Sequence, residues 1–309
     1  MRVGVIDVGT NSVRLLVAEP QASSFRDVDR RLTITRLGQG VDESKVLAPA
    51  ALERTLACIA DYAAICGDLS VGRLRIAGTS AVRDALNRDE FSAGIRKLTG
   101  TELDMLTGDD EARLSFLGAT SDIPEIGSTL LIDIGGGSTE LVLGMLEPQK
   151  ALSLDIGCVR MHERYLKSDP PTGGELEALR LDVTKTLTGA KRQLDVGIGA
   201  RFIGVAGTVT QLAALHSGLP VYDPEVTHHA VLSHGDVRRL ARRLASLPIE
   251  QRRRIPGLVS GRADVIVAGA EILIAAMEVF DMAEILVSEK DILDGLVLEL
   301  LDIRATSDS

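Results

Sequence analysis

Residues 6–17 read IDVGTNSVRLLV and residues 132–143 read IDIGGGSTELVL, a repeat that aligns without gaps. Ile6/Ile132, Asp7/Asp133, Gly9/Gly135, Ser12/Ser138 and Leu15/Leu141 are identical, and most other positions stay apolar or β-branched. Each copy predicts a strand, an aspartate at its end, a turn of Gly, Ser, Thr or Asn, and a second strand. Strand–turn–strand hairpins are common enough for coincidence to remain open. As a true repeat, the pair suggests two related halves facing one cleft.

The rest of the chain alternates short β-rich runs with helical ones. Strands are expected at 2–6, 13–18, 32–37, 74–77, 102–106, 129–134, 140–143, 151–155, 202–205 and 284–287. Helices are expected at 49–65, 89–98, 109–117, 174–194, 211–216, 234–244, 262–279 and 291–301, the first opening on Pro49. This mixture indicates α/β architecture. A length of 309 residues accommodates two domains. The Gly- and Pro-bearing loops near 122–127 and 169–174 are the candidate boundaries. The division expected is 1–120 for the first domain, with the tail 299–309 returning to it, and 121–298 for the second.

Composition narrows the function classes. Lys+Arg 34 against Asp+Glu 44 leaves a net charge of −10, and aromatics are 3% with no Trp. That argues against coating nucleic acid or stacking bases. Cys58, Cys66 and Cys158 form no CxxC pair, which fits a reducing cytoplasm rather than a disulfide framework. Asp7 interrupts any leader-like apolar stretch, and Glu271 and Glu278 break the apolar run 265–279, so no membrane partner is expected. His162, His216, His228, His229 and His234 lack HExxH or similar spacing and read as loop or surface residues.

The turn Gly9-Thr10-Asn11-Ser12 offers closely spaced backbone N–H groups and short polar side chains. Gly135-Gly136-Gly137-Ser138 offers the same again. Neither matches a P-loop, and each alone reads equally as a tight turn. Paired, and each preceded by an aspartate, they read as opposing phosphate clamps. Asp7 and Asp133, joined by Glu140, supply hard oxygens for Mg²⁺, with Mn²⁺ as an alternative. The competing reading of the aspartates is turn stabilisation by Asx hydrogen bonds. Separately, a helix from 235 to 246 carries Arg238, Arg239, Arg242 and Arg243 on one face, with Arg252, Arg253 and Arg254 soon after. Such a strip is either a solvated amphipathic face or a track for a polyanion.

IDVGTNSVRLLV, GTSAVRDALN (78–87), TGDDEARLSFLGA (107–119) and IDIGGGSTELVLG (132–144), in that order, resemble the exopolyphosphatase / guanosine pentaphosphate phosphohydrolase family. FIGVAGTVTQLAAL (202–215) and RADVIVAGAEIL (262–273) continue the resemblance, while SEKDILDG (288–295) departs from the pattern SDGALREG of many relatives. The resemblance implies two actin-like (ribonuclease H-like) domains flanking a cleft, in a short form without further C-terminal domains. It implies that Glu111, in the E-A-R motif, activates the attacking water. Helix-dipole complementarity is the competing reading, since Asp109 and Asp110 share that turn. Arg83 is similar to a family arginine that faces the phosphates, and Gly207-Thr208 looks like a further phosphate-facing turn.

The activity expected is Mg²⁺-dependent hydrolysis of the terminal phosphoanhydride of inorganic polyphosphate. Alternatives are hydrolysis of a guanosine pentaphosphate in the stringent response, an ATP-using kinase of the same superfamily, and a non-catalytic phosphate-ligand sensor. A homodimer is left open.

Overall fold

The computed structural model describes residues 1–22, 24–123, 127–197 and 199–303. In chain order its elements are β1 (Val3–Val8), β2 (Ser12–Gln21), β3 (Ser24–Ile34), α1 (Val41–Ser44), α2 (Pro49–Asp68), β4 (Arg73–Gly78), α3 (Ser80–Asp84), α4 (Arg88–Thr99), β5 (Leu103–Met105) and α5 (Gly108–Thr120). Next come β6 (Thr129–Ile134), β7 (Thr139–Gly144), β8 (Pro148–Leu154), α6 (Cys158–Tyr165), α7 (Gly173–Leu194), β9 (Arg201–Val205) and α8 (Ala206–His216). The chain continues through α9 (Pro224–Thr227), β10 (Val231–Ser233), α10 (His234–Ala245), α11 (Ile249–Arg252), α12 (Ile266–Phe280), β11 (Glu284–Val287) and α13 (Ile292–Leu300).

Two α/β units result, each with its own mixed sheet. The first comprises Met1–Asp122 and the segment from Lys290 onward; the second is Ile123–Glu289. The return therefore begins at Lys290 rather than at 299, and residues 304–309 of the expected tail lie outside the described residues. So do residues 124–126 of the candidate boundary loop.

Both copies of the repeat become antiparallel hairpins: β1 pairs with β2, and β6 with β7. The two sheets share a plan. Each hairpin extends to a third antiparallel strand on one side, giving β3-β2-β1 and β8-β7-β6. On the other side β1 meets β4, and β6 meets β9, in parallel after a helical crossover. β1 and β6 are buried at every position, as strands covered on both faces should be.

One face of the first sheet packs on α2 and α4 through Leu52, Ile59, Phe91 and Ile95. The other packs on Leu114 of α5 and on Ile292, Leu293, Leu296 and Val297 of α13. The two helices meet at glycines: a Cβ on Gly118 would lie 1.8 Å from the Asp291 carbonyl, and one on Gly295 2.0 Å from that of Leu114. This cover is why the segment from Lys290 belongs to the first unit. In the second unit α12 is buried nearly all round, and its Glu271 accepts two hydrogen bonds from Arg180 at 2.6 and 2.7 Å. Among the described residues, no helix is long and apolar enough to cross a membrane.

The strand expected at 32–37 is instead the end of β3, an eleven-residue edge strand. Its residues SFRDVDRRLTI hide the β-signal behind charge, which suits an edge. Arg26, Arg30 and Arg31 there each pair with an acid (Glu19, Asp27 and Asp29).

Candidate active site

In the first unit the turn after β1 closes with the Gly9 N–H donating to the Ser12 carbonyl at 2.9 Å. The Thr10 carbonyl accepts from the Gly38 N–H, and the Asn11 carbonyl from those of Thr35 and Arg36. In the second unit the Gly135 carbonyl accepts from the Cys158 N–H, and that of Gly136 from Val159 and Arg160, all at the start of α6. The Gly137 carbonyl accepts from Arg160 Nε at 2.6 Å. A trans peptide points its N–H opposite to its C=O. Fixing the carbonyls of Thr10, Gly135, Gly136 and Gly137 inward therefore turns the N–H groups of Asn11, Gly136, Gly137 and Ser138 away from the supporting chain, the orientation an anion requires. The bracing is close: a Cβ on Gly157 would lie 2.2 Å from the Gly136 carbonyl. Beneath this loop, burial pushes the Cys158 thiol up to about 11, so Cys158 is no thiolate nucleophile.

The expected base and the expected phosphate arginine come together. Arg83, in α3, donates from Nη1 to Glu111 Oε2 at 2.8 Å and to the Leu106 carbonyl at 3.0 Å. Three acids share the first turn of α5, yet only Glu111 is buried. Thr107 and Asp110 form a reciprocal capping box, so the helix-end role belongs to Asp110 and Glu111 is left for another. Ser80, also in α3, lies 2.9 Å from Thr10 Oγ1 and ties that helix to the first loop.

The three carboxylates expected to hold a cation are contributed by both units. Asp7 belongs to the first unit, Asp133 and Glu140 to the second. Asp7 is 3% exposed, and its Oδ2 accepts from Arg14 Nε at 2.9 Å and Nη2 at 2.7 Å. Arg14 also pairs with Asp291 at the start of α13. Burial pushes the Asp7 carboxyl above the ordinary carboxylate range although Arg14 pulls it down, and Oδ1 is a buried atom without a hydrogen-bond partner. In the second unit Asp133 and Glu140 lie directly opposite each other in the ladder, and Ser153 Oγ donates to Glu140 Oε1 at 2.7 Å. Within each unit these buried carboxylate oxygens are hard donors, the chemistry that fits a divalent cation.

Gly207-Thr208 opens α8, where the Arg262 guanidinium lies against Gly207; a Cβ there would be 1.9 Å from Nη1. Arg14, Ser80, Arg160 and Arg262 touch these candidate residues, and sequence reasoning assigned them no role. For Arg14 a signal existed, since it occupies the repeat position that Glu140 holds in the second copy. The arginine strip lies on α10 as expected, but Arg252 is buried and donates to Asp169 at 3.1 Å. It leaves the strip.

The Ppx/GppA phosphatase family matches this chain over residues 16–303. The chain belongs to the Ppx/GppA phosphatase family. It is 40% identical to Exopolyphosphatase 2 of Mycobacterium tuberculosis, covering 97% of this chain and 98% of that one. The crystal structure of the Ppx/GppA family member from Aquifex aeolicus is similar at a TM-score of 0.83 and 31% identity, covering 98% of both chains. A guanosine-5'-triphosphate,3'-diphosphate pyrophosphatase of Vibrio atlanticus is 28% identical over 96% of this chain but only 59% of its own length. Within the Ppx/GppA family, then, the relative with the higher identity is also the one whose length this chain matches.

Proposed function

We propose that this Ppx/GppA protein is an exopolyphosphatase that releases phosphate from the end of inorganic polyphosphate in the cytoplasm. The Arg83–Glu111 pair carries the reading: a buried carboxylate, relieved of capping by Asp110 and aimed by a fixed guanidinium. Glu111 takes a proton from water as the oxygen attacks the terminal phosphorus. The P–O bond to the rest of the chain breaks, and the shortened chain leaves with the electron pair. The N–H groups of Asn11, Gly136, Gly137 and Ser138 bind non-bridging oxygens, where they act on charge as it shifts in the transition state. Thr208 and Arg262 add donors at the start of α8. Asp7, Asp133 and Glu140 are the residues that would hold Mg²⁺ or Mn²⁺, which would supply further neutralisation of phosphate charge. Three cysteines, all buried and unpaired, support the cytoplasmic assignment.

The test is phosphate release from long polyphosphate, tripolyphosphate and guanosine pentaphosphate in parallel, by the parent chain and by Glu111→Gln. The polyphosphates should be the faster substrates, and the variant should lose roughly 10²-fold or more in turnover while still binding them. Preference for the nucleotide would transfer the reading to the pentaphosphate hydrolases. Binding without release of phosphate would make the protein a sensor.

A further inference from the structure

Most arginines in this protein have an acid beside them. The edge strand β3 shows the usual solution, a charged surface whose Arg26, Arg30 and Arg31 are each neutralised locally. The exposed face of α10 differs. Arg239 pairs with Asp236 at 2.6 Å, and Arg253, beyond the helix, pairs with Glu250. Arg238, Arg242 and Arg243, with Arg254 nearby, are exposed and have no such partner among the described residues. Four unneutralised guanidinium groups so close together stand out in a chain of net charge −10.

The strip is also held rigidly and oriented. Val237, Leu240, Ala241, Leu244 and Ala245 are buried on the opposite face of α10, against α8 and α12. β10 runs antiparallel to β11, which is parallel to β9, which is parallel to β6. β10 therefore ends at the edge of the sheet remote from the Gly135–Ser138 loop, where Ser233 pairs with Glu284. α10 starts there and runs back toward the loop end. Arg252, just past it, reaches the Asp264 carbonyl immediately before α12. The unpaired arginines thus follow the helix toward the end of the second unit's sheet that carries its phosphate loop.

We propose that this face of α10 binds the distal part of a long inorganic polyphosphate chain, a subsite separate from the phosphate loops; the choice of ligand rests on the exopolyphosphatase reading. From Arg238 to Arg243 the helix rises about 8 Å, so the cations form a line suited to an extended polyanion. Each phosphate that meets an arginine releases counterions, which makes the attraction sensitive to salt. On this proposal a three-phosphate substrate is held at the loop end alone and does not depend on the strip.

The experiment compares the full chain with its Arg238→Gln/Arg242→Gln/Arg243→Gln variant. KM should rise on the order of tenfold for long polyphosphate at roughly 50 mM salt, and much less at roughly 200 mM. KM for tripolyphosphate should stay within about twofold, and Tm should hold, because the apolar face is intact. In equilibrium binding of long polyphosphate, with Glu111→Gln in both proteins, the slope of log affinity on log salt should shrink by about 2–3. An equal response of long and short substrates, or an unchanged slope, overturns the strip. Equal loss of duplex DNA and polyphosphate binding overturns the choice of ligand. Turnover persisting in Glu111→Gln would count against the proposed base and leave the strip standing, since binding reads it independently.

Discussion

In the first hairpin Arg14 lies opposite Asp7 in the strand register; in the second, Glu140 lies opposite Asp133. The backbone plan, the aspartate and the glycine turn are shared, so the difference is one of charge at a single repeat position. In the first unit the buried carboxylate has its cation built in, and that cation also grips Asp291 at the start of α13. The hairpin is thereby fastened to the helix that packs on α5, the element bearing Glu111. In the second unit two carboxylates face each other across the ladder, an arrangement that weakens a sheet. Architecture explains the first pair. At the second, the proposed divalent cation would be coordinated by the hard oxygens of both carboxylates.

The largest expected effect tests the architectural half. Arg14→Met removes the cation and leaves Asp7 and Asp291 buried, which should cost about 3–5 kcal/mol in urea unfolding. Glu140→Gln keeps shape and removes one of two like charges, so stability should change by no more than about 1 kcal/mol. Equal losses in the two variants would break the comparison.

A smaller effect tests the ligand half. Activity should vanish with a chelator and return with Mg²⁺. Asp133→Asn should then raise the Mg²⁺ needed for half-maximal rate by about tenfold or more, because a neutral amide is a poor ligand for a hard cation. Asp7→Asn should raise it less, since Arg14 already occupies Oδ2 of that carboxylate. If Asp7→Asn has the greater effect, the assignment of roles to the two hairpins is reversed.

How far the sequence carries such an argument depends on the range of the interaction. The hairpins and their turns are local, encoded within a few residues, and they are legible from spacing alone. Glu111 was distinguishable from Asp109 and Asp110 only by resemblance, because burial is not a local property. Arg14 meets Asp291 across 277 residues, and no pattern in either segment announces that contact. The same holds for the start of α6 beneath the second glycine loop. It holds too for the return at Lys290, which only the packing of Gly118 on Gly295 makes necessary. Most of β3 escapes for the opposite reason, only its end at 32–34 being expected: its charges are local and strong, and they mask a strand that tertiary pairing nonetheless forms.

The smallest expected effect concerns Asp7 itself. Burial raises its folded-state pKa despite Arg14, so between the ordinary carboxylate value and the raised one the folded chain binds more protons than the unfolded chain. Stability contributed by this group is therefore fully present below the ordinary value and is lost as pH rises through the raised one. Asp7→Asn cannot ionise and should lack this slope. The measured quantity is the difference in unfolding free energy between variant and parent from about pH 4 upward. It should move in favour of Asn with rising pH, by about 1 kcal/mol for each unit by which the two pKa values differ. A difference that is flat, or that moves toward the parent, would mean that Arg14 outweighs burial. The first hairpin would then stabilise its carboxylate fully, and Asp7 Oδ1 would have no reason to seek a cation.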